Sequence, residues 1–61
     1  MAHLELWLSS GETVQMRVDD TNAELAALKA GTGRFASEFV ELTGPALGVV
    51  RKDAIVAVLI R

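Results

Sequence analysis

A chain of 61 residues makes one domain, and at that length folding buries only about 60% of the surface that the unfolded chain exposes. The absence of cysteine excludes disulfides and most metal sites as extra stabilisation, which leaves oligomerisation as the remaining candidate. A net charge of -2 gives no general attraction for nucleic acid, whereas an apolar fraction of 51% predicts that some apolar surface meets another chain, so we expect a homo-oligomer.

Two alternating runs at the N-terminus predict a β-hairpin with an aliphatic inner face. The first run spans His3 to Leu8, the residues Ser9 to Gly11 supply a turn, and the second run ends at Val18. The inward positions are Leu4, Leu6, Leu8, Val14, Met16 and Val18. Trp7 is then on the outer face, and we expect Arg17 opposite it.

A helix is predicted over about 22–30. Thr21 stands three residues before Glu24, so the two can form a capping box, and the two aspartates before Thr21 favour the positive end of the helix. Leu25 and Leu28, with Ala26 or Ala27, form the apolar stripe that should lie on the hairpin. Gly31 is placed to end the helix in a left-handed conformation.

The second half of the chain reads as three more strands separated by short connections. A glycine-containing loop over 31–37 precedes a strand at 39–43, and a connection at 44–48 precedes a short strand at 49–51. A tight turn at 52–55 leads into the last strand, Ile55 to Ile60. Its nearly continuous apolar character predicts burial on both faces, either at the centre of a barrel or under a neighbouring subunit.

The hairpin, the strand Phe39 to Thr43 and the segment Val49 to Val58 together resemble small SH3-like or Sm-like β-barrels. The resemblance covers mainly residues 39–60. It implies a core position for the isoleucine after the turn, Ile55, and a role as an interaction module that often forms rings. The predicted fold class is α+β and mostly β: a small five-stranded barrel or curved antiparallel sheet with one short helix after the first hairpin (ββαβββ).

Catalytic and metal-binding chemistry find little support in the sequence. His3 is the only histidine, and the carboxylates show no paired metal-ligand spacing. Ser9 and Ser10 lack the surroundings of an activated nucleophile. The segment Gly31 to Arg34 follows a helix instead of opening one, so it lacks the amide-lined helix start that binds phosphate. We therefore expect no enzyme, no cofactor and no metal.

The candidate binding residues are aromatic and basic. An exposed tryptophan beside an arginine is a pairing enriched at binding hot spots, and an arginine beside a phenylalanine offers a cation and an aromatic face. Basic residues near the last turn could join the C-terminal Arg61 in a basic strip. The candidates are Trp7, Arg17, Arg34, Phe35, Arg51 and Lys52.

These features predict a non-enzymatic interaction module, a small homo-oligomeric barrel that presents a protein-binding or regulatory surface. The alternative is a ring that binds nucleic acid or a small anionic, nucleotide-like ligand through Arg34, Arg51 and Lys52, because symmetry multiplies weak patches. No stretch has the length of a membrane span or the pattern of a targeting segment, so we expect a cytoplasmic protein.

Overall fold

A computed structural model that describes residues 2–61 has five strands and one helix in the predicted order ββαβββ. The elements are β1 (Ala2–Leu8), β2 (Thr13–Val18), α1 (Thr21–Ala30), β3 (Phe39–Thr43), β4 (Leu47–Arg51) and β5 (Ile55–Ile60), with 3-10 turns at Gly33–Phe35 and Lys52–Ala54. β3 and β5 have their predicted bounds. β4 begins earlier than predicted, because Gly48 pairs with Leu42 instead of belonging to the connection.

The strands form two antiparallel sheets, not a closed barrel or one continuous curved sheet. One sheet has the order β2-β1-β5, and the other pairs β3 with β4. They meet where the Arg17 backbone N–H donates to the Gly44 carbonyl over 2.8 Å and the Thr43 hydroxyl donates to the Arg17 carbonyl over 2.6 Å. The next bridge pairs Met16 with Pro45, and proline has no N–H with which to continue a ladder. The contact between the two sheets therefore remains an isolated bridge and does not become a ladder.

The predicted hairpin and its aliphatic face are confirmed. β1 pairs with β2 from Ala2 opposite Val18 to Trp7 opposite Thr13, so even-numbered residues of both strands share the inner face. The buried core cluster consists of Leu4, Leu6, Met16, Val18 and Leu42, with Leu25 of the helix and Ile55 of β5 packed against it. The helix thus lies on the hairpin as its apolar stripe predicts.

The helix begins one residue earlier than predicted, and its cap is Asp20, not Thr21. Asp20 is extended, and its Oδ1 accepts hydrogen bonds from the N–H groups of Asn22 (3.0 Å) and Ala23 (3.2 Å). The predicted capping box does not form, because Thr21 lies inside the first turn and the Glu24 carboxylate accepts from Arg34. The predicted end is confirmed, since Gly31 is left-handed with φ of 68°.

β5 lies at the edge of its sheet, which corrects the prediction of a central strand buried on both faces. β1 occupies the centre, because it pairs with β2 in the hairpin and with β5 on its other side. Ile55 and Val58 of β5 pack against the core, whereas Val56 and Ile60 are exposed. Cover by a second subunit, the other predicted environment of this strand, stays a prediction.

Candidate functional site

Arg34 lies in the 3-10 turn after the helix and is engaged in contacts that hold the fold together. Its Nε and Nη2 donate to the two carboxylate oxygens of Glu24 over 2.8 and 3.3 Å, and its Nη1 lies 3.3 Å from the Met16 sulfur. Both charged side chains are largely buried. A guanidinium that clamps the helix, the turn and β2 together has few donors left for a ligand.

Phe35, predicted to offer an aromatic face beside Arg34, is fully buried. It closes the same 3-10 turn, and its backbone N–H donates to the Thr32 carbonyl over 3.0 Å. Turning the chain in this way directs the ring inward, where apolar burial stabilises a small core. Phe35 is therefore placed away from the surface, and the expected pairing of a surface cation with a surface aromatic ring is not formed.

The basic residues near the last turn are paired with acceptors. Arg51 Nη2 lies 3.2 Å from a carboxylate oxygen of Asp53, and Lys52 Nζ donates to the Phe35 carbonyl over 2.9 Å. Together they line an open depression of about 330 Å³. The complete lining is Ala36, Ser37, Glu38, Arg51, Lys52 and Asp53. Because two carboxylates lie beside the two cations, the depression carries no formal excess of positive charge.

Trp7 and Arg17 both lie on the outer face of the first sheet, but they are not neighbours. The hairpin register places Arg17 opposite His3 and Trp7 opposite Thr13, at the other end of the strands. The guanidinium of Arg17 lies against Gly44, since a Cβ at that glycine would be 2.8 Å from Nη2. The expected cross-strand pairing of Trp7 with Arg17 is therefore wrong.

Glu5 is the true partner of Trp7. The indole Nε1 donates to Glu5 Oε1 over 2.8 Å, and Arg61 Nη2 donates to the same oxygen over 2.6 Å. These donors favour the ionised carboxylate, so Arg61 first and Trp7 second hold the pKa of Glu5 below its ordinary value of 4.5. The bond to Glu5 fixes the indole on the outer face, where 42% of Trp7 remains exposed.

The exposed apolar side chains of β5 are absent from the candidate binding residues, although the apolar run of this strand predicted that it is covered. Val56 is 65% exposed, Ile60 is 51% exposed and Leu59 is 40% exposed. Leu59 and Ala57 share the outer face with Trp7, because they pair with Glu5 and Trp7 of β1. Ile60 pairs with Leu4 and is exposed at the same edge but on the opposite face. We call Trp7, Val56, Leu59 and Ile60 the β5 patch.

A second exposed apolar group lies on the other sheet. It consists of Phe39, Leu47 and Val49, which share the outer face of β3 and β4. Glu41 is opposite Val49 in the register and Arg51 is opposite Phe39, so charged side chains flank the group. We call Phe39, Leu47 and Val49 the β4 patch. Sequence alternation could have indicated it, because three odd-numbered positions of these strands carry large apolar residues.

Within residues 2–61, no group of three or more histidine, cysteine or acidic side chains is arranged to hold a metal ion. Over the same residues, no helix has both the length and the apolar character needed to cross a membrane. Searches with protein-family models, curated proteins and solved structures gave no significant match to this chain. The resemblance to SH3-like or Sm-like barrels therefore stays a prediction.

Proposed function

We propose that the protein is a non-enzymatic interaction module that self-associates into a small homo-oligomer and presents a protein-binding or regulatory surface. The observation that carries this proposal is the β5 patch. β5 is an edge strand with exposed apolar side chains, and such a strand is a template for pairing with another chain. Trp7 beside it adds a large aromatic surface of the kind that dominates binding energies.

The balance of buried and exposed side chains supports the same proposal. Among residues 2–61, seven apolar side chains are buried and seven large ones are exposed. Single exposed apolar residues are normal, but grouped ones mark interaction sites. Here all of the exposed ones fall into the β5 patch and the β4 patch, on different sheets. One module can therefore use the β5 patch for self-association and keep the β4 patch for a protein partner.

Binding of nucleic acid or a small anionic ligand is the alternative function. The open depression beside Arg51 and Lys52 is the feature that would serve it. Against it stand the carboxylates of Glu38 and Asp53 in the same lining and the engagement of Arg34 by Glu24. A salt titration separates the two functions, because phosphate contacts weaken steeply with rising salt and an apolar interface does not.

The test of the proposed function uses Trp7 as both probe and target. On dilution, its fluorescence should shift to the red as the assembly separates and the indole meets water. Trp7→Ala should lower the solution mass, since truncating an aromatic anchor commonly costs about 2 kcal/mol or more of binding free energy. Phe39→Ala is the matched control, because it removes an exposed aromatic from the other sheet and should leave the mass unchanged.

A different pattern would contradict the proposal. If Trp7→Ala lowers the melting temperature without changing the mass, the indole stabilises only its own subunit. If Phe39→Ala lowers the mass and Trp7→Ala does not, self-association uses the β4 patch instead.

A further inference from the structure

We propose that β5 pairs with β5 of a second copy, antiparallel and about a two-fold axis at Val58, so that the two three-stranded sheets become one continuous sheet. This inference rests on the proposed function, because it names the partner and the register of self-association. The occupant of the β5 patch is therefore a second copy of this chain. Such a contact is isologous and closes at two subunits.

The direction of the backbone groups supports the pairing. The Arg61 N–H donates to the His3 carbonyl over 3.0 Å. Backbone groups alternate along an antiparallel ladder, so those of Leu59 and Ala57 also point toward β1, and those of Val58 and Ile60 point toward the open edge. Within residues 2–61 no strand lies on that side of β5. The open edge thus offers donors and acceptors at alternate residues.

β5 carries few of the features that protect other edges, the register shift at Val56 opposite Trp7 and Leu8 being its one irregularity. Its residues, Ile55–Ile60, include no charged residue, no proline and no glycine. β2, the opposite edge of the same sheet, has Thr13, Gln15 and Arg17 on its outer face and is covered at its end by Gly44. β4 contains Gly48, which weakens a strand for pairing. Of these edges, β5 is the one best suited to pair with another chain.

The register follows from the need to align outward-pointing residues of both copies. A two-fold axis at Val58 places Val58 opposite its counterpart and Ile60 opposite Val56 of the second copy. An axis at Ala57 would place Ile60 opposite Ala54, which belongs to the 3-10 turn, and an axis at Leu59 would leave Val56 uncovered. The axis at Val58 pairs residues 56–60 of the two copies, so all three exposed apolar residues of β5, Val56, Leu59 and Ile60, lie opposite residues of the second strand.

The side chains fit this register. On the outer face, Ala57 of one copy lies opposite Leu59 of the other, so a small residue meets a large one. Trp7 is the neighbour of Ala57 within its own sheet. Because Ala57 is small, the indole can reach across it to Leu59 of the second copy while its Nε1 stays bonded to Glu5. The pairing therefore covers Trp7, Leu59, Val56 and Ile60 together.

Cysteine cross-linking tests the register directly, because the described chain has no cysteine of its own. We would prepare Ala57→Cys and Leu59→Cys separately and mix them under mild oxidation. In the proposed register these positions form a non-hydrogen-bonded pair with Cα atoms about 4.5 Å apart, within the range that a disulfide bridges. The mixture should give a covalent dimer, whereas each variant alone should give little. Val49→Cys, on β4, is the control and should not join to itself.

The other possible results of the cross-linking and mass measurements contradict either the register or the β5 contact itself. Self-linking of Ala57→Cys or of Leu59→Cys would place the axis at that residue. A dimeric mass for the unmodified protein without cross-linking of the mixture would refute the β5 contact and leave the proposed function standing. A monomeric mass would refute both. Leu59→Lys offers a second readout: it should yield a folded monomer, whereas Leu47→Lys should stay dimeric, and a Leu59→Lys variant that stays dimeric would contradict the proposal.

Discussion

The contact between Arg34 and Glu24 gives a prediction whose size can be worked out from the structure. The two side chains are 24% and 20% exposed, between the fully exposed pairs that contribute about 0 to 1 kcal/mol and the buried pairs whose disruption costs about 3 to 5 kcal/mol. Arg34 makes two hydrogen bonds to the carboxylate and one contact with the Met16 sulfur. We expect Arg34→Gln to lower the free energy of unfolding by about 1 to 3 kcal/mol.

A double-mutant cycle with Glu24→Gln and Arg34→Gln, measured by urea denaturation, isolates the energy of the pair. The chain provides its own control in Arg51 and Asp53, an ion pair whose side chains are 63% and 73% exposed. The coupling energy should be about 1 kcal/mol for the partly buried pair and within about 0.5 kcal/mol of zero for the exposed one. Equal coupling energies for the two pairs would refute the structural role of Arg34. Its guanidinium would then be available to bind a ligand.

Three further predictions concern the cap, the core and acid stability. Asp20→Ala should lower the unfolding free energy by about 1 kcal/mol, and Thr21→Ala by clearly less; the reverse order would mean that Thr21 is the cap. Phe35→Ala should cost about 3 to 5 kcal/mol, whereas Phe39→Ala should change little, and similar melting temperatures would contradict the burial of Phe35. Because folding lowers the pKa of Glu5, its stabilisation is present above pH 4.5 and is lost as the pH falls through the folded-state pKa. Acid titration of stability should be shallower for Glu5→Gln; an unchanged slope would contradict this linkage.

Local patterns predicted the strands well because alternation and turn residues act over a few positions. The bounds of β3 and β5, the hairpin with its inner face and the end of the helix at Gly31 all follow from such short-range rules. The helix starts one residue earlier because Asp20 supplies the cap, and Glu24 bonds to Arg34 instead of closing a capping box. A contact between residues ten positions apart leaves no trace in a local pattern.

The candidate site was less predictable because it depends on which elements become neighbours. Phe35 follows a glycine-containing segment typical of a surface loop, and only the folded turn shows that its ring is buried. Alternation correctly placed Trp7 and Arg17 on one face, but the hairpin register separates them. The apolar run of β5 indicated burial on both faces. Composition alone does not predict that β5 pairs with β1 on one side only and leaves its other backbone edge unpaired in the single chain.

The molar mass measured by sedimentation equilibrium over a wide concentration range tests the central claim most directly. If β5 pairs with a second copy, the mass should approach twice the 6.5 kDa of one chain as concentration rises, and should fall toward 6.5 kDa for Leu59→Lys. A mass of 6.5 kDa at every concentration, with the unmodified protein fully folded, would contradict the account.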